Sequence, residues 1–217
     1  MILSGNMFCR NVFKYMMAVR NSSTQVQMPP LYELRIYNVY PKDIKSFTDL
    51  SIKWMHLRTA KSKLLGYWFS ELGGINDAVH MWEYESLSDR ARVRKELSGD
   101  ESWVTNYIAA VGPMWARQEN TLLTLKQGTH LNLSNITPGG VYELQTLPDG
   151  SRVGSLLPGT KLLGAFQTVF GQVHKEYRLL HHTSIDDAVQ ASHSSLEGVS
   201  GEVFTRLLTP APWSTLQ

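Results

Sequence analysis

Two stretches of this chain repeat each other about a hundred residues apart. KLLGYWFSELGG, from Lys63, returns as KLLGAFQTVFGQ from Lys161, and YELR at Tyr32 returns as YELQ at Tyr142. VHMWEYESLSDRA, from Val79, aligns without a gap on EYRLLHHTSIDDA from Glu176. Such a repeat constrains the fold more than any single motif, because each copy is then one supersecondary unit that needs its neighbour to bury an apolar face. A chain of 217 residues has room for two such units and little else.

The first copy reads as β-α-β-β-α-β. Residues 32–40 alternate, with Leu34 and Ile36 on one side and Glu33, Arg35 and Tyr37 on the other, until Pro41 ends the strand. A helix is predicted over residues 42–63, where Ile44, Phe47, Leu50, Trp54 and Leu57 recur at helical spacing. The apolar run 64–69 and the aromatic run 80–84 flank Gly73-Gly74 as a hairpin. Ser86 or Ser88 then caps a second helix with Leu87, Ala91 and Leu97 as its apolar side. Gly99-Asp100 interrupts it, a further helical piece puts Trp103, Tyr107, Ala110 and Met114 on one face, and residues 120–126 form the closing strand. This is the split βαβ, ferredoxin-like order, with helices on one sheet face only.

The second copy covers the bare face in this reading. It offers strands at 142–147, 162–170 and 173–182, a helix from Ile185, and a last strand at 202–208. PDGSRVGSLLPGT stands where the first copy has its long helix, so that helix is expected to be shortened or absent. The expected fold class is α+β, two ferredoxin-like units packed sheet to sheet. Residues 31–127 make the first unit, 128–140 a linker, 141–210 the second unit, and 211–217 a tail beyond Pro210, where order is expected to end.

Residues 1–28 read as a mitochondrial presequence. They hold Arg10, Lys14 and Arg20 among apolar residues, and no acid precedes Glu33. The charges interrupt the apolar stretch, unlike those of a secretory signal, and an amphipathic helix on a lipid surface is the plainer alternative. Without these three cations, 18 basic residues face 19 acidic ones, too even a balance for a nucleic-acid binder held by counterion release. Cys9 is the single cysteine, so neither an intramolecular disulfide nor a thiolate-rich metal site is expected. No uncharged apolar run reaches the roughly 18 residues of a membrane span, so any membrane contact is expected to be peripheral.

If Leu34 and Ile36 face the helices, Glu33 and Arg35 fall at the seam between the sheets, with Glu143 and Gln145 in the equivalent places. Charge there needs pairing, so the seam holds either a polar network or a wet interior able to bind a small molecule. His56 and Arg58 close the first helix. They either line such a cavity or fold back over the helix end, where Arg58 would satisfy carbonyls or an acid. Arg94 shares the wheel sector of Ala91 and Leu97 and is expected to reach an acid of the other unit or a subunit interface. Arg90, Arg92 and Lys95 read as a solvated face.

His80, Trp82 and Tyr84 share one strand face, more in keeping with core packing than with a cofactor box. The adjacent His181 and His182 point to opposite faces, so no metal pair is expected. No nucleophile elbow, phosphate-binding glycine loop or paired carboxylates are present, and neither a catalytic residue nor a cofactor is assigned. FTDL at Phe47 and WMHL at Trp54 have the aromatic-x-x-aliphatic form of short autophagy motifs. Both fall in a helix with the aromatic inward, whereas β-augmentation takes an extended peptide.

Residues 32–126 resemble the NIPSNAP family, chiefly its short members. The carrying segments are YELRIY, HLRTAKSKLLGYW, FSELGGINDAVHMWEYES, ARVRKEL and ARQENTLLTL. The resemblance implies a mitochondrial protein of two NIPSNAP domains of dimeric α+β barrel type, located in the matrix, with exposure at the outer surface on damage. It implies a non-catalytic interaction or adaptor protein in mitochondrial quality control (mitophagy), where it would recruit autophagy adaptors, or in vesicular transport. Further homo-oligomerisation is compatible with it. The alternative is a small-molecule or haem-binding α+β barrel, or a monooxygenase-like enzyme, using the barrel interior.

Overall fold

Ser86 and Ser184 start equivalent helices by the same device. Each is extended, and each hydroxyl accepts a hydrogen bond from the backbone N–H three residues on, that of Asp89 or Asp187. In the computed structural model, which describes residues 29–217, this correspondence extends through the whole hairpin. The presequence assigned to residues 1–28 lies outside the described residues. The first unit comprises β1 (Leu31–Val39), α1 (Ile44–Thr59), β2 (Lys63–Leu72), β3 (Asp77–Tyr84), α2 (Leu87–Ser98), a π-helix at Trp103–Ile108, and β4 (Trp115–Leu125). The second comprises β5 (Val141–Pro148), β6 (Thr160–Phe170), β7 (Lys175–His182), α3 (Ile185–Ser195) and β8 (Phe204–Pro210).

Strand register corrects the gapless alignment by one residue. Gly66 pairs with Met81, and Gly164 pairs with Leu179, so Met81 corresponds to Leu179 and not to Arg178. A slip of one residue exchanges inner and outer faces, so the correction decides which side chains are equivalent. Both hairpins break register at the same place, between Leu64 and Gly66 and between Leu162 and Gly164. The shared KLLG has a steric cause there. A Cβ at Gly66 would lie 2.2 Å from the Trp68 ring, and one at Gly164 would lie 2.9 Å from the Phe166 ring. Each glycine leaves room for the aromatic two residues ahead to fold into the interior.

The two units join edge to edge. β2 pairs with β8 and β4 with β6, closing the order β1-β3-β2-β8-β5-β7-β6-β4 into one antiparallel barrel. The sheets therefore meet across a common lumen and are continuous at both seams. Tyr32, Leu34, Trp68 and Met81 of the first unit meet Tyr142, Leu144, Phe166 and Leu179 of the second there. Trp68 lies 5.5 Å from Tyr142, and Tyr32 lies 5.1 Å edge-on to Phe166. Eight strands enclose about as much space as their own inward side chains fill.

The lumen is lined by Leu34 and Ile36, which inverts the expected facing of β1. Glu33, Arg35 and Tyr37 face the helices instead. The physical reason is closure: a barrel interior sealed by strands on all sides is drier than a sheet–helix layer whose rim reaches water. In that outer layer Phe47, Met55, Val93 and Leu97 of the helices and Trp103 and Tyr107 of the π-helix pack on Tyr67, Trp82 and Tyr84. Leu87 is exposed, and Val93 takes the inward place expected for it.

Between β5 and β6 there is no helix. The loop lies over β7 instead, where the Ser151 carbonyl accepts a 2.7 Å hydrogen bond from Arg178 Nη2. The tail is ordered beyond Pro210, contrary to expectation. Leu216 enters the lumen, and Thr215 Oγ1 donates to the carbonyls of Leu64 and Leu65 at the strand irregularity. Leu131, Leu133 and Ile136 of the linker pack on the same core. No helix among the described residues is long and apolar enough to cross a membrane.

Candidate functional site

The last turn of α1 brings Arg58 down onto the outer face of the first sheet. Its guanidinium lies 4.0 Å above the Trp82 ring and donates a 3.2 Å hydrogen bond to Tyr84 Oη. Beside it opens a cavity of about 460 Å³ between the sheet and the helices. Arg35 and Tyr37 of β1, His80 and Trp82 of β3, and Tyr67 of β2 form its floor. Trp103 and Tyr107 of the π-helix form a wall, their rings 4.6 Å apart. The wider π turn spreads this wall, a distortion that recurs at functional sites. The Tyr107 hydroxyl is fixed by a 2.8 Å hydrogen bond with Ser51 of α1. Arg94 and Ser98 of α2 and Gln118 of β4 are exposed and form the rim.

Glu33 is 1 % exposed and fully engaged. It accepts hydrogen bonds from Arg90 at 2.6 Å, Asn120 at 2.9 Å and Tyr84 Oη at 3.4 Å, and Arg35 stands 3.8 Å away. Burial alone would push its carboxyl up. The Arg90 hydrogen bond, the Arg35 charge and the Asn120 hydrogen bond outweigh burial and hold it at about 2. Arg90 is thus an ion-pair partner of a buried acid, where a solvated face was expected.

His80 stacks on Tyr67 at 4.5 Å and accepts a 2.6 Å hydrogen bond on Nδ1 from Trp82 Nε1. Burial, then the charges of Arg35 and Arg58, push its pKa well below the usual histidine range. The ring is therefore neutral, with its proton on Nε2, and Nε2 has no partner. Arg35 Nε, Arg58 Nε and Trp115 Nε1 are likewise buried without an acceptor. Burial also disfavours the charge on Arg58. The lining contains three guanidinium groups and no carboxylate. Unanswered buried donors cost stability, and a charged acceptor recovers more of that cost than a neutral one. The cavity is suited to an organic anion with a flat apolar body.

Of the residues singled out from sequence, the structure gathers Arg35, Arg58 and Arg94 in the lining of this cavity, outside the barrel and not in its interior; Glu33 is not in the lining and is buried against Arg90 and Arg35. His56 is elsewhere, exposed on α1 with its ring near that of Trp54. Glu143 is the counterpart of Glu33 in the second unit. It lies buried beneath α3 and accepts from Gln145 at 3.1 Å and Ser192 at 3.4 Å, with His182 Nε2 3.2 Å away. The place of His80 is taken there by Arg178, which binds Glu176 at 2.7 Å and the loop over β7.

Sequence reasoning missed Tyr37, Tyr67, Trp115 and Gln118 as site residues. The signal was available in Arg35, whose register partner is His80: once Arg35 faces the helices, every outward neighbour follows. Among the described residues no group of three His, Cys, Asp or Glu side chains is placed to hold a metal ion.

The family model for NIPSNAP matches residues 32–128. Protein NipSnap homolog 3A of Homo sapiens is 32% identical over 181 residues, covering 76% of this chain and 72% of that one. Among solved structures, a candidate monooxygenase of Fusobacterium nucleatum superposes with a TM-score of 0.56 at 9% identity, covering 84% of this chain and 93% of that one. Another from Lactobacillus acidophilus gives 0.55 at 10% identity, over 84% and 94%. At that identity the likeness is one of fold.

Proposed function

Since the chain belongs to the NIPSNAP family, we propose that it is a binding protein whose first unit holds a small organic anion in the cavity between sheet and helices. The observation that carries this is the imbalance of the lining: Arg35, Arg58 and Arg94 with four buried donor atoms unanswered and no carboxylate among them. The aromatic walls favour a flat apolar body on the anion. Retention fits better than turnover, because the His80 lone pair is already taken by Trp82 and Glu33 is locked by Arg90. Import into mitochondria through residues 1–28 belongs to the same proposal. Recruitment of autophagy adaptors through FTDL or WMHL finds no support, since Phe47 is fully buried and both motifs are helical.

Titration with 1-naphthoate, followed by quenching of the cavity tryptophans, tests the reading against uncharged 2-naphthalenemethanol. One saturable site that prefers the acid is expected, and Arg58→Met should weaken the acid at least tenfold while sparing the alcohol. Equal affinity for acid and alcohol, or indifference to Arg58→Met, would refute the anion site. Haemin, followed by its Soret band, tests the porphyrin alternative alongside. Protease protection in isolated mitochondria, with and without residues 1–27, tests import.

A further inference from the structure

β4 is paired with β1 on both sides of a bulge at Ala116 but meets β6 only from Leu122 onward. Residues 116–120 are exposed on both side-chain parities, as on an open edge. Which backbone groups point outward follows from alternation along the ladder. The Val39 N–H is bonded toward β3, to the Asn76 carbonyl, and the Tyr40 N–H toward the β4 side, to the Met114 carbonyl. Carried back along β1, this alternation makes Asn38 and Ile36 serve β4, where they face Arg117 and Glu119. Gln118 and Asn120 therefore aim their N–H and C=O groups outward, while Ala116 is the extra residue of a bulge, between Arg117 opposite Asn38 and Trp115 opposite Val39. Among the described residues no strand pairs with them.

We infer that this edge joins two copies of the chain, β4 antiparallel to β4 about a two-fold axis at Gln118. In that register Arg117 of each copy lies opposite Glu119 of the other. Gln118, at the axis, is a hydrogen-bonded pair, so the Arg117–Glu119 positions are the non-hydrogen-bonded ones, where facing side chains come closest. Arg117 and Glu119 already lie 3.2 Å apart on one face of the strand, both largely exposed. The two copies would thus bring four charges of alternating sign together. A foreign peptide would need its own acid and base two residues apart to match this pattern, and a second copy has them.

The surroundings fit an interface. Phe170, opposite Leu122 where the free edge begins, is 63% exposed, and Val169 and Val173 of the same hairpin are exposed beside it. Exposed edges are normally blunted by charge, proline or a bulge; residues 116–121 have no proline but do have a bulge at Ala116 and the charges of Arg117 and Glu119, which admit only a partner of matching alternating charge. Gln118 is also on the rim of the anion cavity, but the pairing uses its backbone and the charges of Arg117 and Glu119, which do not line that cavity.

The test is sedimentation equilibrium of the full chain over rising concentration, with amide hydrogen exchange on the same samples. The expected result is a dimer in which the amides of Gln118 and Asn120 gain protection with concentration. The amides of Arg117 and Glu119, bonded to β1, stay protected throughout. Arg117→Glu should raise the dimer Kd about tenfold or more by setting like charges opposite each other twice. The exchanged pair Arg117→Glu with Glu119→Arg should restore it, a rescue that a mere folding defect would not give. A monomer at every concentration would overturn the proposal. So would amides already protected in the monomer, which would give the edge to residues of the same chain, or a dimer indifferent to Arg117→Glu.

Discussion

Glu33→Gln isolates the most concentrated electrostatic feature of the fold. The substitution keeps the size of the side chain and an acceptor for Arg90 but removes the charge that Arg90 and Arg35 stabilise. The carboxyl is held at about 2 against an ordinary 4.5, and with 1 % exposure there is little solvent to screen it. Two and a half pH units correspond to about 3 kcal/mol of folding free energy. A carboxylate depressed by folding contributes fully above its unfolded value and loses its contribution as pH falls toward the folded one. Urea unfolding of wild type and variant at pH 7 should therefore show a gap of about 3 kcal/mol, shrinking to about half by pH 3. A gap under about 1 kcal/mol at pH 7, or one that does not change between the two pH values, would refute the assignment of this cluster as the source.

His80 carries the opposite linkage. Its folded pKa lies well below the usual value, so the unfolded chain alone takes up the proton as pH falls through about 6.5, and stability is lost in that direction. His80→Phe keeps a ring on Tyr67, and between pH 7.5 and pH 5 wild type should lose about 2 kcal/mol more than the variant; parallel losses in urea unfolding would count against a buried neutral imidazole. His181 is also lowered by burial, but it is present in both proteins and cancels. Gly66→Ala should destabilise by about 2–4 kcal/mol and Gly164→Ala by about half as much, since the added methyl meets Trp68 far more closely than Phe166; equal costs would show that the rings move aside freely.

The duplication was legible because both hairpins carry the same glycine for the same steric reason, and both following helices begin on the same Ser and Asp. The facing of the strands was not legible. Alternation in β1 separates Leu34 from Glu33 but does not say which set meets the helices, and barrel closure, a non-local event, decides it. The same ambiguity hid the cavity, because its polar groups were assigned to the lumen. Arg90 was misread for a related reason: its partner Glu33 lies 57 positions away, and no helical wheel contains it. The π-helix had only the spacing of Trp103 and Tyr107 to suggest it, which an ordinary helix satisfies equally well.

The position of β8 has a consequence for how the molecule assembles. This stave sits between β2 of the first half and β5 of the second, and the residues after it stopper the same cylinder. The first half can acquire its helices as soon as residues 31–125 have emerged from the ribosome, and β5–β7 can then reach its inner wall through the β4–β6 seam, but the cylinder stays open between β2 and β5 until residues 204–217 arrive. Sealing is thus the final act of folding, and a chain arrested before it would present aromatic surface to any chaperone nearby.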